Sequence, residues 1–238
     1  YDPFDPMFSS ATNGMTSDQT IEYALKRYQF SDEPGTKYNY SNLGYCILGR
    51  VIEKITGMEY EDYMKQEVSE KAGAYTVQVG SDTKANRKPK ECVFYAPSGY
   101  NAYGKNMRRL DSCGGLIAST DDLVRVCSAI DGFDGYPEIF EQSTLDRMFT
   151  PSEAYNRYGL GWRMNHSSLL KGCCYHTGNI AGTASLMIRG GDGHHVALVN
   201  NSRTYGTANG QSLDTAQIIL GDDLWDFRSS LPTEDLFE

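Results

Sequence analysis

Two short polar stretches carry side chains suited to acyl chemistry. Tyr40-Ser41-Asn42 lies between the Glu33-Pro34-Gly35 turn and a run of apolar residues. A phenol there can shuttle protons if a neighbouring cation lowers its pKa from about 10, and the positive end of a following helix helps in the same direction. His176-Thr177-Gly178, followed by Asn179-Ile180-Ala181-Gly182 and then a predicted strand, sets an imidazole and a hydroxyl beside glycine-rich backbone. Glycine lets backbone amides approach a reacting carbonyl closely. Each stretch also has a plain structural reading. Ser41 or Asn42 can simply cap a helix with Tyr40 half-buried, and His176-Thr177-Gly178 can be an ordinary strand edge.

The element that positions Tyr40 is a helix opening at Ser41 or Asn42, with Leu43, Ile47, Val51 and Ile55 every four residues and Gly57 placed for a left-handed cap. Cys46, Leu48 and Ile52 widen the stripe, which predicts a helix buried on most sides. Upstream, Thr16 and Gln19 form a capping-box pattern that starts a helix ending before Glu33-Pro34-Gly35. Residues 60–70 read as a shorter, charged helix, and 75–110 as irregular chain with short strands. Ser119-Thr120-Asp121-Asp122 is an N-cap cluster ahead of Leu123, Val126, Cys127 and Ile130, and a short helix is expected over 144–148. The last third changes character: 158–164, 183–188 and 194–200 read as strands, the last two joined by the hairpin signal Gly190-Gly191-Asp192-Gly193. A helix over 212–220 closes the pattern. The order predicts an α+β fold, an antiparallel β-sheet flanked by helices plus a mostly helical lobe. It is read as a single domain with a helical and irregular lobe over 1–110, helices and sheet over 111–227 and a tail over 228–238.

Composition narrows the classes. The chain of 238 residues carries 22 basic and 31 acidic side chains, a net charge of -9. A phosphate-backbone binder needs clustered Lys and Arg, and the one dense basic stretch, 84–90, is short, so nucleic acid is not an expected partner. No run approaches the ~18–20 apolar residues of a membrane span. The six cysteines lack Cys-x-x-Cys spacing and read as free buried thiols, with Cys173-Cys174 marking a strand end and one thiol inward. His194-His195 sits where neighbouring side chains point to opposite faces, so the pair does not share a metal.

Taken in order, Tyr40-x-Asn42 before a long helix, Cys113-Gly114-Gly115-Leu116-Ile117-Ala118-Ser119, Tyr158-Gly159-Leu160-Gly161-Trp162 and His176-Thr177-Gly178 before a hairpin resemble the serine β-lactamase-like family. This group includes class C β-lactamases, D-alanyl carboxypeptidases and family VIII esterases. The resemblance implies that Tyr40 moves protons on and off the nucleophile and leaving group. It implies that Asn42 contacts substrate or the catalytic lysine and that His176 stands where many members have the lysine of Lys-Thr-Gly. Thr177 is then expected to face substrate, Gly178 to permit close approach and the Asn179 N–H to serve as an oxyanion donor. No metal or organic cofactor is implied. The expected partner is a small ester, amide or peptide substrate, with ester or peptide hydrolysis favoured over efficient β-lactam turnover because His176 carries less fixed charge than lysine.

One departure stands out: the family nucleophile, a serine in Ser-x-x-Lys ahead of Tyr-x-Asn, has no match before Tyr40. Ser81-Asp82-Thr83-Lys84 and Ser168-Leu169-Leu170-Lys171 fit the spacing but come in the wrong order, in a polar turn and a loop. The expectation is a chain lacking its N-terminal strands and nucleophile helix, inactive alone, with an exposed sheet edge or apolar face that pairs with that segment or another chain. Free thiols point to a reducing compartment and the family to an extracytoplasmic one, so the compartment stays open. Two other readings remain at this stage: a non-catalytic binding protein or pseudoenzyme that keeps the cleft, and an unrelated thiol-rich interaction domain.

Overall fold

A computed structural model describes residues 5–28, 32–96, 98–164 and 172–202. The helix expected over 212–220, the tail, and Ser168 with Lys171 lie outside the described residues. Among the described residues, no helix is long and apolar enough to cross a membrane.

Helix α1 (Ser17–Arg27) starts as predicted, with the Thr16 hydroxyl and Gln19 side chain closing a reciprocal capping box. Helix α2 (Asn42–Thr56) is capped by Ser41, whose Oγ accepts from the Gly44 N–H, and ends in Gly57 at φ 72°. Next comes α3 (Tyr60–Met64). The single helix expected over 60–70 instead passes into a π-helical turn, Lys65–Ser69, where the Glu70 N–H reaches the Lys65 carbonyl. Strands β1 (Gln78–Val79) and β2 (Leu116–Ile117) pair antiparallel under this lobe.

Helix α4 (Thr120–Ser128) opens with a second capping box, between Ser119 and Asp122, and α5 (Gln142–Phe149) covers the expected short helix. Four strands, β3 (Arg163–Met164), β4 (Cys174–Ile180), β5 (Thr183–Arg189) and β6 (His195–Asn200), form an antiparallel sheet in sequence order. Period-two alternation splits its side chains. Cys173, Tyr175, Leu186, Ile188, Val196 and Leu198 gather on one face, while Cys174, Met164 and Met187 join Val126, Cys127, Leu145 and Trp162 on the face covered by α4 and α5. A third cluster, with Met7, Ala24, Leu43, Cys46, Val79 and Leu110, packs the helical lobe.

Four expectations change. Residues 158–164 form a strand only at Arg163–Met164, because the Gly159 N–H bonds the Trp162 carbonyl and Gly161 takes φ 83°, folding Tyr158 back against Arg163. His176 to Asn179 precede the expected strand, β5, but lie in a strand of their own, β4, which is not among the predicted strands. Both Cys173 and Cys174 are buried, since the sheet has apolar clusters on both faces; Cys92 is the exposed thiol.

Finally, α2 is not buried on most sides. It turns Leu43, Cys46 and Gly49 inward, where a Cβ on Gly49 would sit 2.3 Å from Ser112 Oγ. Leu48, Val51 and Ile55, the last 78% exposed, face outward with nothing packed over them among the described residues. The part-buried Arg50–Asp111 ion pair, joined by Glu53, ties down the inward face and leaves the other side of the apolar stripe bare.

Candidate active site

Tyr40 is delivered by the segment leading into α2, and His176 by the third residue of β4. The two rings approach to 6.1 Å between centroids at an interplanar angle of 26°. A third aromatic residue completes the contact: Tyr158, carried by the turn before β3, places its hydroxyl 2.7 Å from His176 Nε2, its ring edge-on to the imidazole. Tyr38 stacks on Tyr155 at 4.5 Å and tilts against Tyr158 at 5.2 Å, extending the aromatic wall.

The site's electrostatics come from Arg163. Its guanidinium lies 5.7 Å from the Tyr158 ring centroid, and its charge acts on Tyr38, Tyr40, Tyr158 and His176. For the phenols this charge is outweighed. Burial raises the pKa of Tyr40 above its ordinary value, helped by Tyr38, Cys113 and Asp5, with Arg163 opposing; Tyr158 is raised more strongly for the same first reason. As it stands Tyr40 is a neutral phenol, contrary to a cation-lowered pKa. For His176, burial and then Arg163 lower the pKa, against a smaller opposing pull from the Thr177 carbonyl.

Asn42 is the first residue of α2 and leaves capping to Ser41; its amide donates to Asp5 Oδ2 at 2.5 Å. Thr177, expected to face a ligand, is cross-strand from Leu186, and Asn179 from Ala184, so both side chains point to the sheet face opposite His176. What Thr177 gives the His176 side is its carbonyl, 2.9 Å from Nδ1. Gly178 lies opposite Ser185, whose Oγ would come within 2.2 Å of an added Cβ. Strand β3 pairs with β4 only at Tyr175 and Cys174, so over 176–180 the edge of β4 away from β5 carries no strand among the described residues. Such an edge presents main-chain donors and acceptors to a ligand.

Sequence reasoning missed Asp5, Tyr158 and Arg163. Tyr158 was visible as part of Tyr-Gly-Leu-Gly-Trp, but the tight turn that points it at His176 depends on the Gly161 conformation. The other Ser-x-x-Lys match is structural: Ser81 is buried, its Oγ shared between Glu91 Oε2 (2.7 Å) and the Asn86 carbonyl (2.7 Å), and Lys84 is exposed. A cavity of about 200 Å³ lies away from Tyr40 and His176, lined by Ser17, Arg50, Glu53, Arg108 and Arg109. Its arginines are already engaged, Arg50 with Asp111 and Glu53, Arg108 with Glu59 and Arg109 with the Met7 and Thr12 carbonyls, and it contains none of the expected site residues.

A sequence model of the family described as Beta-lactamase matches residues 1–218. The chain is 26% identical over 187 residues to an N-acetylmuramyl-L-alanine amidase of Bacillus subtilis, covering 65% of this chain and 40% of that protein. It is 24% identical over 196 residues to a putative D-alanyl-D-alanine carboxypeptidase of Escherichia coli, covering 71% and 45%. It thus spans less than half the length of these curated relatives. Among solved structures, D-amino acid amidase from Ochrobactrum anthropi superposes with a TM-score of 0.68 over 90% of this chain and 64% of that one, at 22% identity, a likeness of fold.

Proposed function

The chain belongs to the beta-lactamase family, and from that premise we propose that the protein carrying it is a serine hydrolase opening an ester or amide carbonyl through an acyl-serine intermediate. The nucleophilic serine and its lysine are supplied by chain outside these 238 residues, and this part contributes the proton carrier, one wall and one edge of the site. The observation that carries the reading is the meeting of Tyr40 and His176 at an open strand edge, although they come from distant parts of the sequence. The bare apolar face of α2 supports it too, as a surface suited to further packed chain.

In this reading Tyr40 takes the proton from the attacking hydroxyl and returns it to the leaving group. It needs a cation next to it to do so, because burial holds the phenol protonated. The Asn179 N–H on the open edge of β4 is one oxyanion donor, and Asn42, tied to Asp5, orients substrate or the lysine. Thr177 and Gly178 serve through their backbone. Arg163, 5.7 Å from the Tyr158 ring centroid, is a fixed positive charge beside the aromatic wall. His176, held neutral, does not supply one. A neutral group where many family members carry lysine holds a substrate carboxylate less firmly, and that favours esters and short peptides over efficient β-lactam turnover.

The test is to treat the full-length protein with a fluorophosphonate or penicillin probe and map the labelled serine. The expected label falls outside residues 1–238 and is lost or slowed in Tyr40→Phe. A label on Ser81 or Ser168, or a folded protein that neither probe marks, overturns the proposal.

A further inference from the structure

The hydrogen bonds around His176 have a fixed direction. A carbonyl oxygen only accepts, so the contact of Nδ1 with the Thr177 carbonyl at 2.9 Å requires a proton on Nδ1. In the neutral ring Nε2 is then a lone-pair acceptor, and the group facing it at 2.7 Å is the Tyr158 hydroxyl. Burial keeps Tyr158 a phenol, so it has a proton to donate. The same burial, with Arg163, disfavours a proton on the imidazole. The ring is pinned at both nitrogens and offers Tyr40 its face, at 26° between planes.

We propose that Tyr158 is a positioning residue for the hydrolytic site: its hydroxyl donates to His176 Nε2 and, together with the Thr177 carbonyl on Nδ1, holds the imidazole in the Nδ1–H tautomer, its plane turned towards Tyr40. The charged and titratable groups facing His176 are then Tyr40 from the start of α2, Tyr158 from the turn before β3 and Arg163 from β3 itself. With Nε2 occupied, His176 neither withdraws a proton from Tyr40 nor binds a substrate anion; it forms a rigid neutral wall beside the phenol. The tautomer stands on the two contacts and the burial of both rings, and its catalytic consequence rests on the function proposed above.

The test reads the tautomer directly. Long-range proton–nitrogen correlation spectra of the labelled full-length protein, with His176 assigned by the signal that His176→Asn removes, are expected to show a protonated Nδ1 and a lone-pair Nε2 near neutral pH. In Tyr158→Phe, which keeps the ring and loses the donor, Nδ1 keeps its proton through the Thr177 carbonyl and the Nε2 signal shifts to that of a lone pair without a donor. The His176 titration midpoint rises by roughly half to one pH unit, the size of one net hydrogen bond to the neutral form. The acid limb of kcat/KM for a small ester moves by the same amount, which a merely structural tyrosine would not cause. A wild-type spectrum with the proton on Nε2 overturns the proposal, as does an unchanged midpoint in folded Tyr158→Phe. Should the variant not fold, the wild-type spectrum decides alone. These spectra need no turnover, so a protein that no serine probe labels loses the hydrolase reading and keeps the tautomer. A wrong tautomer in a protein that labels as expected removes this inference only.

Discussion

His176 on β4 and His195 on β6 share one sheet and one face, because His176 pairs with Met187 and His195 with Arg189, two residues further along β5. Each ring has one nitrogen on backbone and the other on a side chain, but the polarity is reversed. His195 Nδ1 accepts from the Gly190 N–H and Nε2 donates to Asp131 Oδ2 at 2.7 Å. His176 Nδ1 donates to a carbonyl and Nε2 accepts from a phenol. A carboxylate that also accepts from the Phe133 N–H, beneath a buried ring, makes a clasp between the β5–β6 hairpin and the end of α4. Tyr158 instead lies with Tyr38 and the Arg163 guanidinium against its ring, beside the Tyr40–His176 stack, the group of side chains to which the proposed proton transfer is assigned. The same side chain on the same sheet face is thus set to different uses by its partner, a carboxylate for His195 and a phenol for His176.

The largest effect that sharpens this contrast is on rate. Tyr40→Phe in the full-length protein is expected to lower kcat/KM for a small ester by about 10²–10⁴-fold, the range of a lost proton-transfer group, with the melting temperature little changed. His195→Ala, on the same face, is expected to leave the rate per folded molecule within a few-fold. If His195→Ala costs as much activity as Tyr40→Phe under conditions where both are folded, the two histidine environments are not separable in the way described.

Next in size is stability. His195→Ala strands a buried carboxylate and the Gly190 N–H, and its cost is expected at about 2–3 kcal/mol, as for buried polar groups that lose a partner. Denaturant titration of the variant measures it. Asp131→Asn, which can still accept from the Phe133 N–H, is expected to cost less than His195→Ala. An equal or larger loss for Asp131→Asn would show that the charge on Asp131, and not the hydrogen bond to His195, holds the hairpin down.

The contrast also explains what could be seen in the sequence. Helix starts were legible because their signals are local: Thr16 with Gln19, Ser119 with Asp122 and Ser41 with Gly44 each satisfy exposed N–H groups within one turn. The pairing of Tyr40 with His176 was legible only as a resemblance, and the fold brings the rings to 6.1 Å between centroids. Tyr158 and Arg163 were not legible as site groups, since their direction depends on a glycine turn, where periodicity carries no information. The outward face of α2 was misjudged for a related reason. An apolar stripe states what a helix can bury, and the Arg50–Asp111 pair and the contact of Gly49 with Ser112 tie down the side it does bury.

The smallest expected effect lies on the structural side of the same comparison and is read through pH. Asp122, at the start of α4, which packs on β5 and β6, accepts from Thr76 N–H, from Ser119 N–H and from both hydroxyls. Burial pushes its carboxyl up, but the donors from Thr76 and Ser119 together outweigh it and hold the pKa below the ordinary value. The folded state therefore binds this proton less readily than the unfolded chain. Its contribution is fully present above the unfolded value of about 3.9 and is lost as pH falls through the lower folded value. Asp122→Asn is expected to be less stable than wild type by about 1 kcal/mol at neutral pH, and the two unfolding curves should converge as pH drops below about 4. Curves that stay parallel down to that pH would assign the Asp122 contribution to shape and capping alone, and would leave charge-held polar contacts in this half of the molecule to Asp131.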